Sequence, residues 1–83
     1  MKKIVIDVTK GDIAHGHVGL CPIERAAVRA GMCSPSASDI MLWYEPWSSR
    51  ESVVLPTSAQ AFIKKYDSKK PVKPFRFTLK VNL

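Results

Sequence analysis

The most constraining feature of this chain is a strict alternation of apolar and polar side chains at its C-terminal end. Every second residue of Phe75–Val81 is apolar, and the residues between them are Arg76, Thr78 and Lys80. A period of two residues is typical of a β-strand with one buried face. The same alternation over residues 3–8 predicts a strand near the N-terminus. We therefore expect a strand close to each end of the chain.

The length of 83 residues leaves room for one small domain, which we assign to residues 1–83. A chain of this size buries only roughly 60–65% of the surface that its unfolded form exposes, and self-association is a common supplement to such a thin core. The longest apolar run, residues 40–44, is far shorter than the about 20 residues needed to cross a bilayer. The apolar run near the N-terminus is too short for a signal peptide, so we expect a cytoplasmic protein.

A helix is predicted over residues 22–30. Proline suits the first helical position, where its missing N–H costs nothing, and Glu24 suits the positive end of the helix dipole. Gly31 is the expected left-handed terminator, and residues 33–36 are expected to form a loop. Steps of 100° per residue collect small and apolar side chains on one face, which suits close packing on a sheet. This face consists of Ile23, Ala26, Ala27 and Ala30.

Three shorter elements are predicted elsewhere. Thr9 with Asp12 three residues later resembles a capping box, which indicates a single helical turn that ends at Gly16. Residues 39–45 alternate like a strand, and residues 50–55 form a shorter strand that is expected to return as a hairpin. The pattern does not fix the register of this hairpin.

A second helix is predicted from Pro56 to about residue 67, and a stiff linker over residues 68–74 follows it. The buried stripe of this helix is expected to hold Ala59, Phe62, Ile63 and Tyr66. The order strand, helix, strand, strand, helix, strand is that of the ferredoxin-like fold. We therefore expect an α+β fold with a four-stranded antiparallel sheet and both helices on one face.

The net charge of +6 is confined to one segment. Acids and bases cancel over residues 1–63, whereas seven bases face only Asp67 over residues 64–80. The bases are Lys64, Lys65, Lys69, Lys70, Lys73, Arg76 and Lys80. Clustered positive charge attracts phosphate groups, so nucleic acid, a nucleotide or an acidic protein is a natural partner. The alternative is a solvated surface that keeps a small protein soluble.

A candidate anion site precedes the first predicted long helix. The loop over residues 16–19 contains two glycines and leads into the helix N-terminus, where free N–H groups and the helix dipole favour a phosphate. Arg25 and Arg29 share one stripe of the helix and are positioned to clamp that phosphate. The alternative is an ordinary capped helix with solvated arginines. The loop and the residues on either side of it contribute four members to the candidate ligand-binding set, which are His15, His17, Gly19 and Cys21.

An aromatic cluster supplies the rest of the candidate ligand site. Trp43, Tyr44 and Trp47 lie within five positions, next to Arg50, and aromatic faces beside a cation suit base stacking. The alternative is a set of core or subunit-interface aromatics. Trp43 and its neighbour Met41 are expected on an exposed face, which favours a homodimer or homotetramer.

Two chemical alternatives are disfavoured. His15, His17, Cys21 and Cys33 are zinc-ligand types, but their spacings match neither Cys-x2-Cys nor His-x3–5-His, so we expect no metal and no cofactor. A disulfide is not expected in a reducing compartment. Cys21 at a helix start with nearby histidines suggests a nucleophile, yet no acid is evident to orient the base, and we expect no enzyme activity.

Several motifs resemble a widespread family of small bacteriophage proteins. They are Asp12-Ile13-Ala14 followed by a glycine, Cys21-Pro22-Ile23 with Ala26 and Ala27, Leu55-Pro56, Phe62-Ile63, Tyr66-Asp67, Pro71-Val72 and Pro74-Phe75-Arg76-Phe77. The family usually carries a second cysteine just before the Cys-Pro step, where this chain has Gly19 or its neighbour, which weakens any metal role. Part of the group resembles sponge proteins that sequester the cyclic dinucleotide signals of CBASS defence, as tetramers and without cleavage.

Two functional hypotheses follow. The resemblance implies a phage anti-defence protein that binds a cyclic nucleotide immune signal in the host bacterial cytoplasm. The charge distribution instead favours residues 64–80 as the working surface, in a protein that binds nucleic acid or a host protein and inhibits restriction or CRISPR defence.

Overall fold

Five strands and three helices follow one another in the residues that the computed structural model describes, which are 2–15, 21–45 and 50–81. In chain order they are β1 (Lys2–Val8), α1 (Lys10–His15), α2 (Pro22–Arg29), β2 (Ser36–Ala37), β3 (Met41–Tyr44), β4 (Glu51–Val54), α3 (Thr57–Asp67) and β5 (Phe75–Val81). The predicted strands at both ends, the helical turn and both longer helices are confirmed. No helix in the described part of the chain is long and apolar enough to cross a membrane.

The strands form two antiparallel sheets. β1 pairs with β5 over seven residues, from Lys2 opposite Val81 to Val8 opposite Phe75. β3 pairs with β2 on one side and with β4 on the other, in the order β2-β3-β4. The predicted hairpin of β3 and β4 is confirmed, and its register places Trp43 opposite Ser52.

The α+β class is confirmed, but the single four-stranded sheet with two helices is wrong. Within the described residues the structure has three helices and separate sheets of two and three strands. β1 and β5 match in length and alternation and therefore pair along their whole length, whereas β3 and β4 are only four residues long and pair with each other. β2 lies partly in a segment expected to be loop, since two residues are too few to show a period.

A hydrophobic core joins the inner face of the β1–β5 sheet to α2 and α3. The alternating apolar side chains of both strands are buried in it, except that Phe75 is half-buried, as the period of two predicts for one inner face. Phe62 of α3 packs on Phe75 of β5 with ring centroids 4.8 Å apart. The helix residues of this core cluster are Ile23, Ala26, Ala27, Ala59, Phe62 and Ile63.

The ends of α2 follow the predicted signals. Cys21 precedes the helix, and Pro22 occupies the first position. At the other end Gly31 has a φ of +102°, a left-handed conformation that a residue with a Cβ rarely adopts. These signals fix where α2 begins and ends.

Candidate functional site

The two arginines of α2 are engaged by a carboxylate of the same chain. Arg29 donates to both oxygens of Asp12, at 2.8 Å from Nη1 and 2.6 Å from Nη2, and Nη2 also donates to the Asp7 carbonyl at 2.6 Å. The Arg25 Nε lies 3.7 Å from Asp12 Oδ1. Arg25 and Arg29 share one side of the helix as predicted, but that side faces α1. One carboxylate compensates only one of these two positive charges: Arg29 holds it in a bidentate pair, whereas the Arg25 Nε is buried and has no hydrogen-bond partner within the described residues.

Hydrogen bonds at the start of α1 hold the Asp12 carboxylate in place. Its carboxylate accepts from the Thr9 N–H at 2.9 Å while its N–H donates to the Thr9 hydroxyl at 3.2 Å, which is the predicted capping box. The side chain is only 2% exposed. Hydrogen bonds from Arg29 lower the pKa of Asp12 from 3.8 to about 2, although burial by itself would raise it. Asp12 is therefore a permanent anion at neutral pH.

Cys21 serves as a helix cap rather than as a reactive thiol. Its Sγ accepts from the Glu24 N–H at 3.4 Å, and its own N–H donates to Glu24 Oε1 at 2.9 Å. Burial raises the pKa of the Cys21 thiol from 9.0 to about 11, so the thiolate is rare at neutral pH. The other oxygen of Glu24 accepts from the Ala37 N–H at 2.8 Å and ties α2 to β2.

The remaining candidates of the predicted ligand site belong to different elements or lie outside the described residues. His15 is exposed at the end of α1. His17, Gly19 and Trp47 lie outside the described residues, so the anion loop stays a prediction. Within the described ranges, no group of three or more His, Cys, Asp or Glu side chains is placed to hold a metal ion.

Trp43 and Arg50 belong to the three-stranded sheet rather than to α2. Trp43 is half-buried on β3 between Ser36 and Ser52. Arg50 precedes β4 and donates to Glu45 Oε1 at 2.9 Å across the exposed surface. Met41 is half-buried like Trp43, on the less buried face of the sheet. Trp43 and Arg50 therefore belong to β3 and to the segment before β4, whereas Arg25 and Arg29 belong to α2.

A second site emerges at the basic segment. Residues 68–74 run from α3 to β5 without regular structure, and an open groove lies on either side of them. The first groove, of about 390 Å³, is lined by Ser58, Ala61, Phe62, Lys65, Pro71, Val72, Lys73 and Phe75. The second, of about 590 Å³, is lined by Ile13, Tyr66, Asp67, Lys69, Lys70, Pro71 and Val72. We call α3 together with residues 68–75 the basic face.

Four aromatic rings of α3 and β5 form a row of successive ring contacts, and three of them belong to the basic face. Tyr66 lies 6.2 Å from Phe62 and parallel to it, Phe62 lies 4.8 Å from Phe75, and Phe75 lies 5.4 Å from Phe77. Tyr66 and Phe75 are half-buried and line the second and first grooves respectively. Sequence reasoning assigned these rings to the core alone. The available signal was the interleaving of lysines and aromatics over residues 62–75.

A scan of the chain against protein-family models finds no match, and searches of curated proteins and of solved structures likewise find none.

Proposed function

We propose that this chain is a non-enzymatic binding protein for phosphate-bearing ligands, with single-stranded nucleic acid as the ligand class that best suits the basic face. The observation that carries the proposal is a difference between the two groups of cations. Arg25 and Arg29 are engaged by Asp12, whereas in the described part of the chain no carboxylate forms an ion pair with a lysine of residues 64–73. These exposed lysines remain available to an external anion.

The position of the lysines supports contact with a strand of phosphates. Lys65 and Lys73 line the first groove, and Lys69 and Lys70 line the second, so positive charge borders both sides of residues 71–72. A third open groove of about 370 Å³ has mixed charge, since Asp39 and Asp67 line it together with Lys64, Lys65 and Lys70. Each phosphate that such a surface neutralises releases counterions, which makes the affinity fall as salt rises.

The aromatic row supports single strands over duplexes. Tyr66 and Phe75 each border a lysine-lined groove and are only partly buried. Stacking of an unpaired base on an aromatic ring contributes about 1–3 kcal/mol and tolerates any sequence. A duplex keeps its bases stacked inside and cannot use these rings in the same way. The pairing of rings with lysines therefore favours an unpaired strand.

A cyclic-dinucleotide sponge is the second candidate, and one observation supports it. The two main grooves, at about 390 and 590 Å³, fall within the range of roughly 300–1,000 Å³ common for small-molecule sites. In this case the protein is a phage anti-defence factor that sequesters a nucleotide signal in the host bacterial cytoplasm. The phosphates would contact Lys69 and Lys70 instead of the arginines of α2.

Fluorescence anisotropy with a labelled oligothymidine, its duplex and a panel of cyclic dinucleotides as competitors tests the proposal. We expect the single strand to bind more tightly than the duplex, with a salt slope of roughly 0.7 per phosphate contact. Lys69→Ala with Lys70→Ala should weaken binding at least about tenfold and reduce that slope. The matched control, Lys2→Ala with Lys10→Ala, removes the same charge from exposed positions elsewhere and should have little effect.

The outcomes separate the candidates. If the control variant weakened binding equally, the affinity would depend on net charge alone. The assignment of the basic face would then be wrong. Competition by a cyclic dinucleotide at micromolar concentration, lost in Lys69→Ala with Lys70→Ala, would favour the sponge. Absence of binding to every ligand in the panel at low salt would overturn both candidates.

A further inference from the structure

We propose that β1 is a self-association edge at which a second copy of the chain adds its own β1 in antiparallel orientation, with Val5 of one copy opposite Val5 of the other. This inference is independent of the proposed ligand. Within the described residues β1 is hydrogen-bonded to one strand only, β5, and β4 contacts β5 without pairing with it. β1 is seven residues long, and an open edge of that length is a template for another strand.

The backbone of β1 presents hydrogen-bonding groups at this edge. In an antiparallel ladder, the N–H and C=O groups of alternate residues point away from the partner strand. The Asp7 carbonyl accepts from Arg29 of α2, which indicates that Asp7 points away from β5, and in an alternating ladder the other odd-numbered residues of β1 then do the same. Lys3 and Val5 belong to the same set. Their backbone groups therefore face the open edge.

The charges of β1 are self-complementary about Val5. With Val5 opposite its counterpart, Lys3 of each copy lies opposite Asp7 of the other. Opposite charges in directly facing positions stabilise a strand pair. The Asp7 carbonyl already accepts from Arg29, but a carbonyl oxygen has a second lone pair that can accept from Lys3 of the second copy. The Asp7 carboxylate also lies 3.5 Å from Arg76 Nη2 of the same chain, so Lys3 of the second copy would join an existing exposed ion pair.

The existing pairing of β1 with β5 leaves two defects that this register repairs. Lys3 lies directly opposite Lys80, and two like charges in facing positions destabilise a strand pair. Asp7 of the second copy would come to lie beside Lys3 and compensate that repulsion. Val5 is an apolar side chain left 51% exposed on the same face, and it would gain an apolar neighbour. The β1–β5 sheets of the two copies would join into one sheet of four strands.

Sedimentation equilibrium of charge variants tests this edge and its register. We expect the wild-type chain to reach twice its monomer mass with increasing concentration. Lys3→Glu and Asp7→Lys should each be monomeric, because each places like charges opposite each other. An equimolar mixture of the two variants should dimerise again. In the mixed pair the introduced glutamate faces the introduced lysine, and the unchanged Asp7 of one copy faces the unchanged Lys3 of the other.

The same substitution at two exposed valines compares the proposed edge with a position away from it. Val5→Lys should weaken the dimer at least about tenfold, whereas Val54→Lys on β4, where the wild-type side chain is 60% exposed, should not. Circular dichroism would verify that each variant is folded. A wild-type chain that stays monomeric at millimolar concentration, a dimer that dissociates with Val54→Lys instead, or a mixture that fails to restore the dimer would overturn the proposal.

Discussion

The Asp12 carboxylate accepts two hydrogen bonds from the Arg29 guanidinium, at 2.8 and 2.6 Å, across a sequence separation of 17 residues. This bidentate pair joins α1 to α2, and the additional bond from Arg29 to the Asp7 carbonyl joins both to the end of β1. Charge-assisted bidentate pairs are stronger than ordinary hydrogen bonds. Arg29 therefore connects α2 to both α1 and the end of β1.

Acid should weaken the protein through Asp12. The pKa of this carboxyl is 3.8 by reference and about 2 in the fold, so its contribution is fully present above pH 4 and is lost as the pH falls through 2. The difference corresponds to about 2 kcal/mol of unfolding free energy. Urea denaturation between pH 5 and pH 2 measures it.

Asp12→Asn should remove this pH-dependent contribution and lower stability at neutral pH. Asp39→Asn, at an exposed position, should leave the acid dependence unchanged. An unaltered acid profile in Asp12→Asn would contradict the assignment.

A pair of glycine variants should shift stability in opposite directions. Gly31→Ala forces a Cβ into a backbone with φ of +102° and should destabilise the protein by about 1 kcal/mol, although the space there is open. Gly11→Ala places a Cβ at an ordinary 3.6 Å from the Thr9 hydroxyl oxygen, within α1, and should stabilise by about 0.5 kcal/mol. Thermal denaturation of both variants checks the signs, and a stabilising Gly31→Ala would show that strain does not govern this turn.

Glu24→Ala should destabilise the fold by about 1–3 kcal/mol, because it removes acceptors for the Cys21 and Ala37 N–H groups. Glu24→Gln keeps one acceptor oxygen and should cost less. Glu45→Ala is the control, since its ion pair with Arg50 is exposed and such pairs contribute about 1 kcal/mol or less. Chemical denaturation of the three variants measures the order, and equal losses in Glu24→Ala and Glu45→Ala would contradict the bridging role.

The two cysteines should differ in reactivity. Cys33 is exposed, whereas Cys21 has its thiol pKa raised to about 11 by burial. A shift of two pKa units lowers the thiolate fraction ~100-fold, and the thiolate is the reacting form. A thiol-reactive dye at pH 7.5 should label one site quickly, and Cys33→Ser should abolish that fast phase. Rapid labelling that persists in Cys33→Ser would show that Cys21 is accessible and reactive.

Most elements of the fold could be predicted because their signals are local. The bounds of β5 coincide with its alternation, and α2 begins at Pro22 and ends just before Gly31 as its capping residues indicate. β2 could not be predicted, since two residues carry no period. The division into two sheets could not be predicted, because strand pairing depends on which strands match in length and come together in space. The pattern of a single strand does not contain that information.

The contacts of the candidate site residues could not be predicted from the sequence, for a physical reason. The helical period places Arg25 and Arg29 on one side of α2, but not what that side contacts. Asp12 is identifiable as a capping residue, while its second role as their counterion depends on how α1 packs on α2. The sequence locates the basic segment, but only the packing of α3 against β5 places Tyr66 and Phe75 beside its grooves.

The sequence by itself therefore determined the periodicities, the ends of the helices and the concentration of positive charge in residues 64–80, because these depend on neighbours along the chain. The tertiary structure alone decided which charges of the chain have a partner within the fold. Electrostatic compensation depends on distance in space. The fold brings Asp12 within 2.6 Å of Arg29 and Asp7 within 3.5 Å of Arg76, while no carboxylate in the described part of the chain forms an ion pair with a lysine of residues 64–73.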